Sequence, residues 1–218
     1  MLFFAQNGEA EELNCGGSAF ITIVAPNNTI DRSVCDASDK AIHFLGQYGL
    51  HPKHPITIHL VDKTIDHNGY IAFGSYDRQS GIIQLMSYAA IMRTNQSPQM
   101  YDQPFDHEHY QGAIAHEVAH AIFHHNSRNV EKQLTNASQE YLAHSTQLGT
   151  LSPKRRHQII SSSDVGSWES GDSISEIYMG LNPTGFAVKS YLHLTGLADP
   201  QQFIKILLNH NWFYVSVP

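Results

Sequence analysis

His116-Glu-Val-Ala-His-Ala-Ile-Phe-His-His125 contains a complete His-Glu-x-x-His motif, set in a run of small and apolar residues: Ala113, Ile114, Ala115, Val118, Ala119, Ala121, Ile122 and Phe123. Such a run predicts a helix buried in a core. Residues four apart on a helix lie one turn above each other, so the imidazoles of His116 and His120 can reach one ion. Glu117 projects beside that ion, where this motif uses its glutamate to take a proton from water and pass it to a leaving group. Two buried imidazoles framing a carboxylate therefore point to a zinc-dependent hydrolase. His124 and His125 read as ordinary hydrogen-bonded histidines, because an imidazole at 124 stands about 12 Å along the axis from His116 and cannot share an ion bound at ~2 Å.

A catalytic zinc site needs a third protein ligand and an open position. The metzincin solution requires glycine at position 123 and histidine or aspartate at position 126; the chain has Phe123 and Asn126. The other solution is a glutamate on a following helix. Glu140 lies in Asn136-Ala-Ser-Gln-Glu-Tyr-Leu-Ala-His-Ser-Thr-Gln-Leu148, a helix-favouring stretch without internal Gly or Pro. Glu131, Asp164, Glu169, Asp172 and Glu176 are the weaker candidates. With the motif and a glutamate 20 residues after its second histidine, residues 106 to 148 resemble the gluzincins, the thermolysin-like branch of zinc peptidases. The resemblance implies one Zn²⁺ per chain held by His116, His120 and Glu140, with Glu117 as the base. His144, one turn after Glu140, stands where thermolysin has an aspartate, which leaves its role open.

Composition bounds the alternatives. The 218 residues, 41% of them hydrophobic, suffice for one catalytic unit, and 13 basic against 20 acidic residues give a net charge of −7, so nucleic acid is not an expected partner. Lys154-Arg155-Arg156, after Ser152-Pro153, reads as the first turns of a helix. No apolar run approaches the ~20 residues of a membrane span. Met1 to Ala5 is too short for a secretory apolar segment and lacks a basic start, so a leader was either removed or never present. Cys15 and Cys35 are distant from the motif, and a disulfide between them, tying the segment before the first strand to the start of the first helix, is the expectation for an exported chain (periplasmic or secreted).

The fold class expected is α+β: a small mixed N-terminal sheet with a packed helix (15–92), then a mainly helical half (104–218) carrying the zinc site, a minimal zincin fold. Ser18 to Ala25 and Ile56 to Val61 read as strands around a helix from Asp36 to Tyr48 ended by Gly49, a β-α-β unit with parallel strands. Tyr70–Tyr76 and Gly81–Ser87 read as a hairpin. Asp106 is the expected cap of the motif helix, which runs to about His125. Ser152-Pro153 and Asp199-Pro200 are helix starts, and Ser161 to Asp172 a mobile loop beside the site.

In gluzincins an edge strand above the motif helix pairs with an extended substrate; here it would come from the Tyr70–Ser87 hairpin. Gly185 to Gly196 resembles the helix that closes the site in small bacterial gluzincin-like proteins. The oxyanion donor is usually Tyr or His, and Tyr141, His144, Tyr191 and His193 are the candidates. The function expected is peptide-bond hydrolysis, with a peptide or protein as the partner. An inactive metallopeptidase-like binding protein and a zinc hydrolase of another amide or ester are the alternatives.

Overall fold

A computed structural model describes residues 10–17, 19–26, 31–67, 70–94, 97–127, 136–169 and 174–209. Strands β1 (Ala10–Asn14) and β2 (Ile21–Pro26) lead into helix α1 (Ser33–Gly46) and strand β3 (Ile56–Val61). In β2 and β3 burial alternates, with Ile21, Ile23, Ala25 and Ile56, Ile58, Leu60 turned inward. α1 covers that face with Val34, Ala37, Ala41 and Leu45, at helical spacing. β2 and β3 pair in parallel, as the β-α-β reading required. Gly49, at φ 78°, turns the chain after α1 in a conformation that disfavours a side chain.

The expected hairpin is present but subdivided. β4 (Ile65–His67) pairs with β5 (Tyr70–Ala72), while β6 (Gly74–Asp77) pairs antiparallel with β7 (Ile82–Met86). The expected single strand Tyr70–Tyr76 thus changes partner at Phe73, whose ring packs 4.7 Å from that of Phe105. The main sheet has the order β1-β2-β3-β7-β6, which leaves β6 on its edge. A short helix α2 (Tyr88–Met92) and a two-residue-per-strand hairpin, β8 (Gln99–Met100) with β9 (Gln103–Pro104), follow.

The second half is helical: α3 (His107–Asn126), α4 (Asn136–Thr150), α5 (Pro153–Ser163), α6 (Glu176–Leu181), α7 (Pro183–Gly196) and α8 (Pro200–Leu207). The chain is α+β, a mixed N-terminal sheet with a mostly helical second half. α3 is enclosed by α1, α4 and the β6–β7 edge, which explains why apolar residues surround it on nearly every side. The Asp106 carboxylate accepts from His109 N–H at 3.0 Å and caps it. Ser152 and Asp199 cap α5 and α8, each followed by proline at the first helical position. Arg155 is bound to Asp106, Glu108 and Gln103, and Arg156 donates to the carbonyls of Gly149 and Leu151, so the basic triplet ties α5 to the ends of α3 and α4. 

Of the expected loop, Ser161–Ser163 finish α5 and residues 164–169 are irregular chain, within which Trp168 is buried with its indole N–H on Ser190 Oγ of α7. Residues 170–173 lie outside the described set. Cys15 and Cys35 form a disulfide between the end of β1 and the first turn of α1. Among the described residues, no helix is long and apolar enough to cross a membrane.

Candidate metal centre

α3 and α4 pack side by side and bring the expected ligands together. His116 Nε2 and His120 Nε2 are 3.0 Å apart; Glu140 Oε2 lies 3.3 Å from the first and Oε1 3.4 Å from the second. Four ligand atoms arranged tetrahedrally at ~2 Å from zinc are separated from each other by about 3.3 Å. The two imidazoles are near that spacing and each meets a different oxygen of Glu140; taking one atom from each residue, the three donors lie within 4.8 Å of one another. Lone pairs of two imidazoles and a carboxylate have little other reason to converge at that distance, so the donor chemistry fits a divalent ion of the zinc type.

The electrostatics agree. Burial would raise the Glu140 carboxyl, but the imidazoles of His120 and His116 hold it well below the usual carboxylate range. Burial lowers His120 to about 4. For His116 burial is outweighed by the hydrogen bond and charge of Glu140, which raise it. His116 Nδ1 meets Gln147 Oε1 at 3.1 Å, while the Gln147 amide nitrogen is spent on Met100 Sδ at 2.9 Å. With the oxygen facing the ring, Nδ1 can donate to it, which leaves Nε2 as the atom turned to the cluster.

Glu117 shares the helix but not the cluster. It is 9% exposed, and its carboxylate accepts a hydrogen bond from the backbone N–H of Tyr76 in β6. Burial, aided by the charge of Glu140, pushes it up to about 7. Gly74 of β6 sits over it so closely that a Cβ there would lie 2.7 Å from Glu117 Cγ. The edge strand and the carboxylate thus form one wall of a cleft.

On the other side of Glu117 a cavity of about 320 Å³ is lined by Phe73, Met100, Tyr101, His144, Gln147 and Thr184 among others. His144 Nε2 is 3.7 Å from Glu140 Oε2, and its Nδ1 is 3.3 Å from Tyr101 Oη. Burial and the neighbouring charge of His116 lower His144 to about 3, so it faces the cavity neutral. Tyr101 and Asp102 form the two-residue loop between β8 and β9, both left-handed at φ 54° and 58°. Asp102 accepts from Thr184 Oγ1 at 2.9 Å, which pins the loop to α7.

Of the sequence candidates, His116, Glu117, His120, Glu140 and His144 share the cleft. Three do not. Tyr141 is fully buried and hydrogen-bonded at 2.8 Å to His193 Nδ1, against Phe203, and neither residue lines the cavities around Glu117. Tyr191 packs in the satellite core around Ile159 and Val188, under Arg156. Helical phase explains the miss: Tyr141 follows Glu140 by one residue and so points about 100° away. Glu176 accepts from Asn136 N–H at the start of α4, and Asp164 and Glu169 are exposed and outside the cluster. Glu131 and Asp172 lie outside the described residues. Sequence reading missed Tyr101 and Gln147; Gln147 alone left a signal, seven residues after Glu140 on the same helical face.

The fold and site together define an α+β protein whose central helix and its neighbour present a His-His-Glu donor set to an edge strand. The chain belongs to the family of unknown function DUF6639, whose profile matches residues 21–217. No curated protein and no solved structure matched the chain.

Proposed function

We propose that this protein is a zinc-dependent peptidase of the gluzincin type, with one zinc per chain and an extended peptide as substrate. The observation that carries the reading is the donor triangle of His116, His120 and Glu140 with Glu117 wedged between it and the edge strand. When bound, such an ion supplies Lewis acidity, lowering the pKa of water and polarising a carbonyl. 

Glu117 is the base. Its carboxylate is held by Tyr76 N–H, so one oxygen is oriented while the group keeps an affinity for protons close to neutrality, which suits receiving a proton and returning it to a leaving amine. β6, at the sheet edge, offers backbone groups to an extended chain, a mode that suits peptides. Tyr101 keeps its hydroxyl proton, because burial and the charge of Glu140 raise its pKa well above the ordinary value. Together with neutral His144 it provides donors for charge developing on a scissile carbonyl oxygen. The disulfide favours action in an oxidising, extracytoplasmic compartment.

The test has two parts. Metal analysis of the purified protein should give about one zinc per chain, greatly weakened by Glu140→Ala. Glu117→Gln should keep the zinc yet lose hydrolysis of unfolded protein or a peptide library by ~10²- to 10⁴-fold. Full activity in Glu117→Gln, or a wild type that binds no zinc, would remove the proposal.

A further inference from the structure

The cleft continues from Glu117 toward a cationic end. β6 runs from Gly74, over Glu117, to Asp77, and the chain then turns through Arg78, closed by Gly81 N–H on the Asp77 carbonyl. α3 follows the same direction: Tyr76 Oη and His124 Nδ1 share a hydrogen bond of 2.8 Å, two helical turns past Glu117. The Glu117 carboxylate meets Tyr76 N–H, and the two residues from there to Arg78 cover about 7 Å, while seven residues of helix from Glu117 to His124 cover about 10 Å. Arg78 and His124 therefore stand together roughly 7–10 Å from the reacting carboxylate. A cavity of about 470 Å³ joins the two ends, with Tyr76, Asn136 and Gln139 along it.

Among the described residues, charge at this end is not balanced from within. Glu140 is turned to His116 and His120, and the Asp77 carboxylate is taken by Gln79 N–H and the Ser80 hydroxyl inside the turn. Arg78 forms no ion pair among the described residues. Its charge acts on both Tyr76 and His124. Arg78, half-buried and lining a polar cavity with no acid among the described residues to meet it, presents a fork of donors that matches a carboxylate.

We propose that the Arg78–His124 end of the cleft is a carboxylate-accepting subsite that selects peptides bearing an anionic group two to three residues from the scissile bond. The proposal rests on the peptidase reading of the metal centre. The spacing follows because an extended chain advances about 3.3 Å per residue, so roughly 7–10 Å spans two to three residues. The carboxylate can come from an Asp or Glu side chain or from the end of the substrate.

Zinc-loaded Glu117→Gln protein, titrated by fluorescence anisotropy, separates binding from turnover. The probes are fluorescein-labelled octapeptides in which Glu, Gln or Lys is scanned through each position, each made with a free and with an amidated C-terminus. Glu at one register should bind about tenfold tighter than Gln. Adding Arg78→Gln should erase that difference while leaving the Gln peptide within about twofold, and Arg78→Glu should turn the preference to Lys. That gain for Lys also shows that the variant is folded. A preference seen only with free C-termini assigns the carboxylate to the chain end and supports the subsite. Equal binding of Glu and Gln peptides with either terminus, or a preference that survives Arg78→Gln, overturns it while leaving the peptidase reading in place. If no peptide binds at all, the peptidase reading falls and the subsite with it.

Discussion

Gly74→Ala tests the contact between the edge strand and the base. The added Cβ would stand 2.7 Å from Glu117 Cγ and 3.1 Å from both its Cδ and Oε1. Unstrained carbon contacts begin near 3.5 Å, so Glu117 must retreat by about 0.8 Å or β6 must lift by as much. The backbone at Gly74 is not left-handed, so alanine is otherwise acceptable there. Its smaller unfolded-state entropy offsets part of the clash by about 0.4–1 kcal/mol. Stability should therefore move little. Rate should not: a displacement near 1 Å of a catalytic group costs on the order of 10²-fold. The measurement is kcat/KM on a quenched peptide library, beside zinc content and melting temperature, with Gly166→Ala, which meets no neighbouring atom, as the control. We expect zinc retained, melting temperature within a few degrees and activity reduced about 10- to 100-fold. Activity within twofold of wild type would refute the claim that Glu117 is positioned by β6.

Gln147→Ala should weaken zinc about 10- to 100-fold, as loss of a partner to a ligating imidazole does, and calorimetric zinc titration would show it; an unchanged affinity would separate Gln147 from the metal centre. Reduction of Cys15–Cys35, which closes a loop of 20 residues, should cost about 3 kcal/mol, readable as a shifted urea midpoint, and no shift would mean the link is idle. Acid should destabilise the fold. His109 is fully buried and lowered by burial, and His125 is lowered to about 4 by burial and the charge of His54, so both contribute stability above the unfolded histidine value near 6.5. That contribution is lost as pH falls through the folded value, so in Glu117→Gln protein, which lacks the opposing carboxyl raised to about 7, melting temperature should decline from about 6.5 to 4; a flat profile across that window would contradict it.

Much of this arrangement was legible because local chemistry and global packing agree. The Asp106, Ser152 and Asp199 caps mark helix starts by side-chain oxygens that any helix needs there. The β2-α1-β3 unit follows from alternation, then helical spacing, then alternation again. His116, His120 and Glu140 were readable because helical spacing and metal chemistry restrict the choices. What was not legible depends on tertiary phase. β4, β5, α2 and α6 are too short to carry a periodic pattern, and β1 is defined by its pairing with β2 rather than by its own residues. Tyr141 and Tyr101 cannot be ranked from sequence, since the first faces His193 and the second reaches the cleft only through the β8–β9 turn.

That turn explains why Tyr101 is hidden from sequence and also what it contributes. A two-residue hairpin loop with both residues left-handed ordinarily uses Asn-Gly or a similar pair, because a bulky side chain at positive φ costs about 1–2 kcal/mol. Tyr101 violates the preference, while Asp102 is of a type that tolerates the left-handed region. The surroundings hold it there: Thr184 binds the Asp102 carboxylate from α7, Gln147 of α4 donates to Met100 at the base of the turn, and the Tyr101 hydroxyl meets His144. All three anchors come from the helices that form the cleft, and two of them sit on the α4 face that also carries Glu140, spaced four and seven residues from it. One helical face therefore supplies a metal donor, a neutral imidazole and the amide that orients His116, while fixing a strained loop opposite the base. Strain of this kind persists only where the neighbouring structure over-determines it, and here the over-determination is concentrated on the groups to which we assign chemistry.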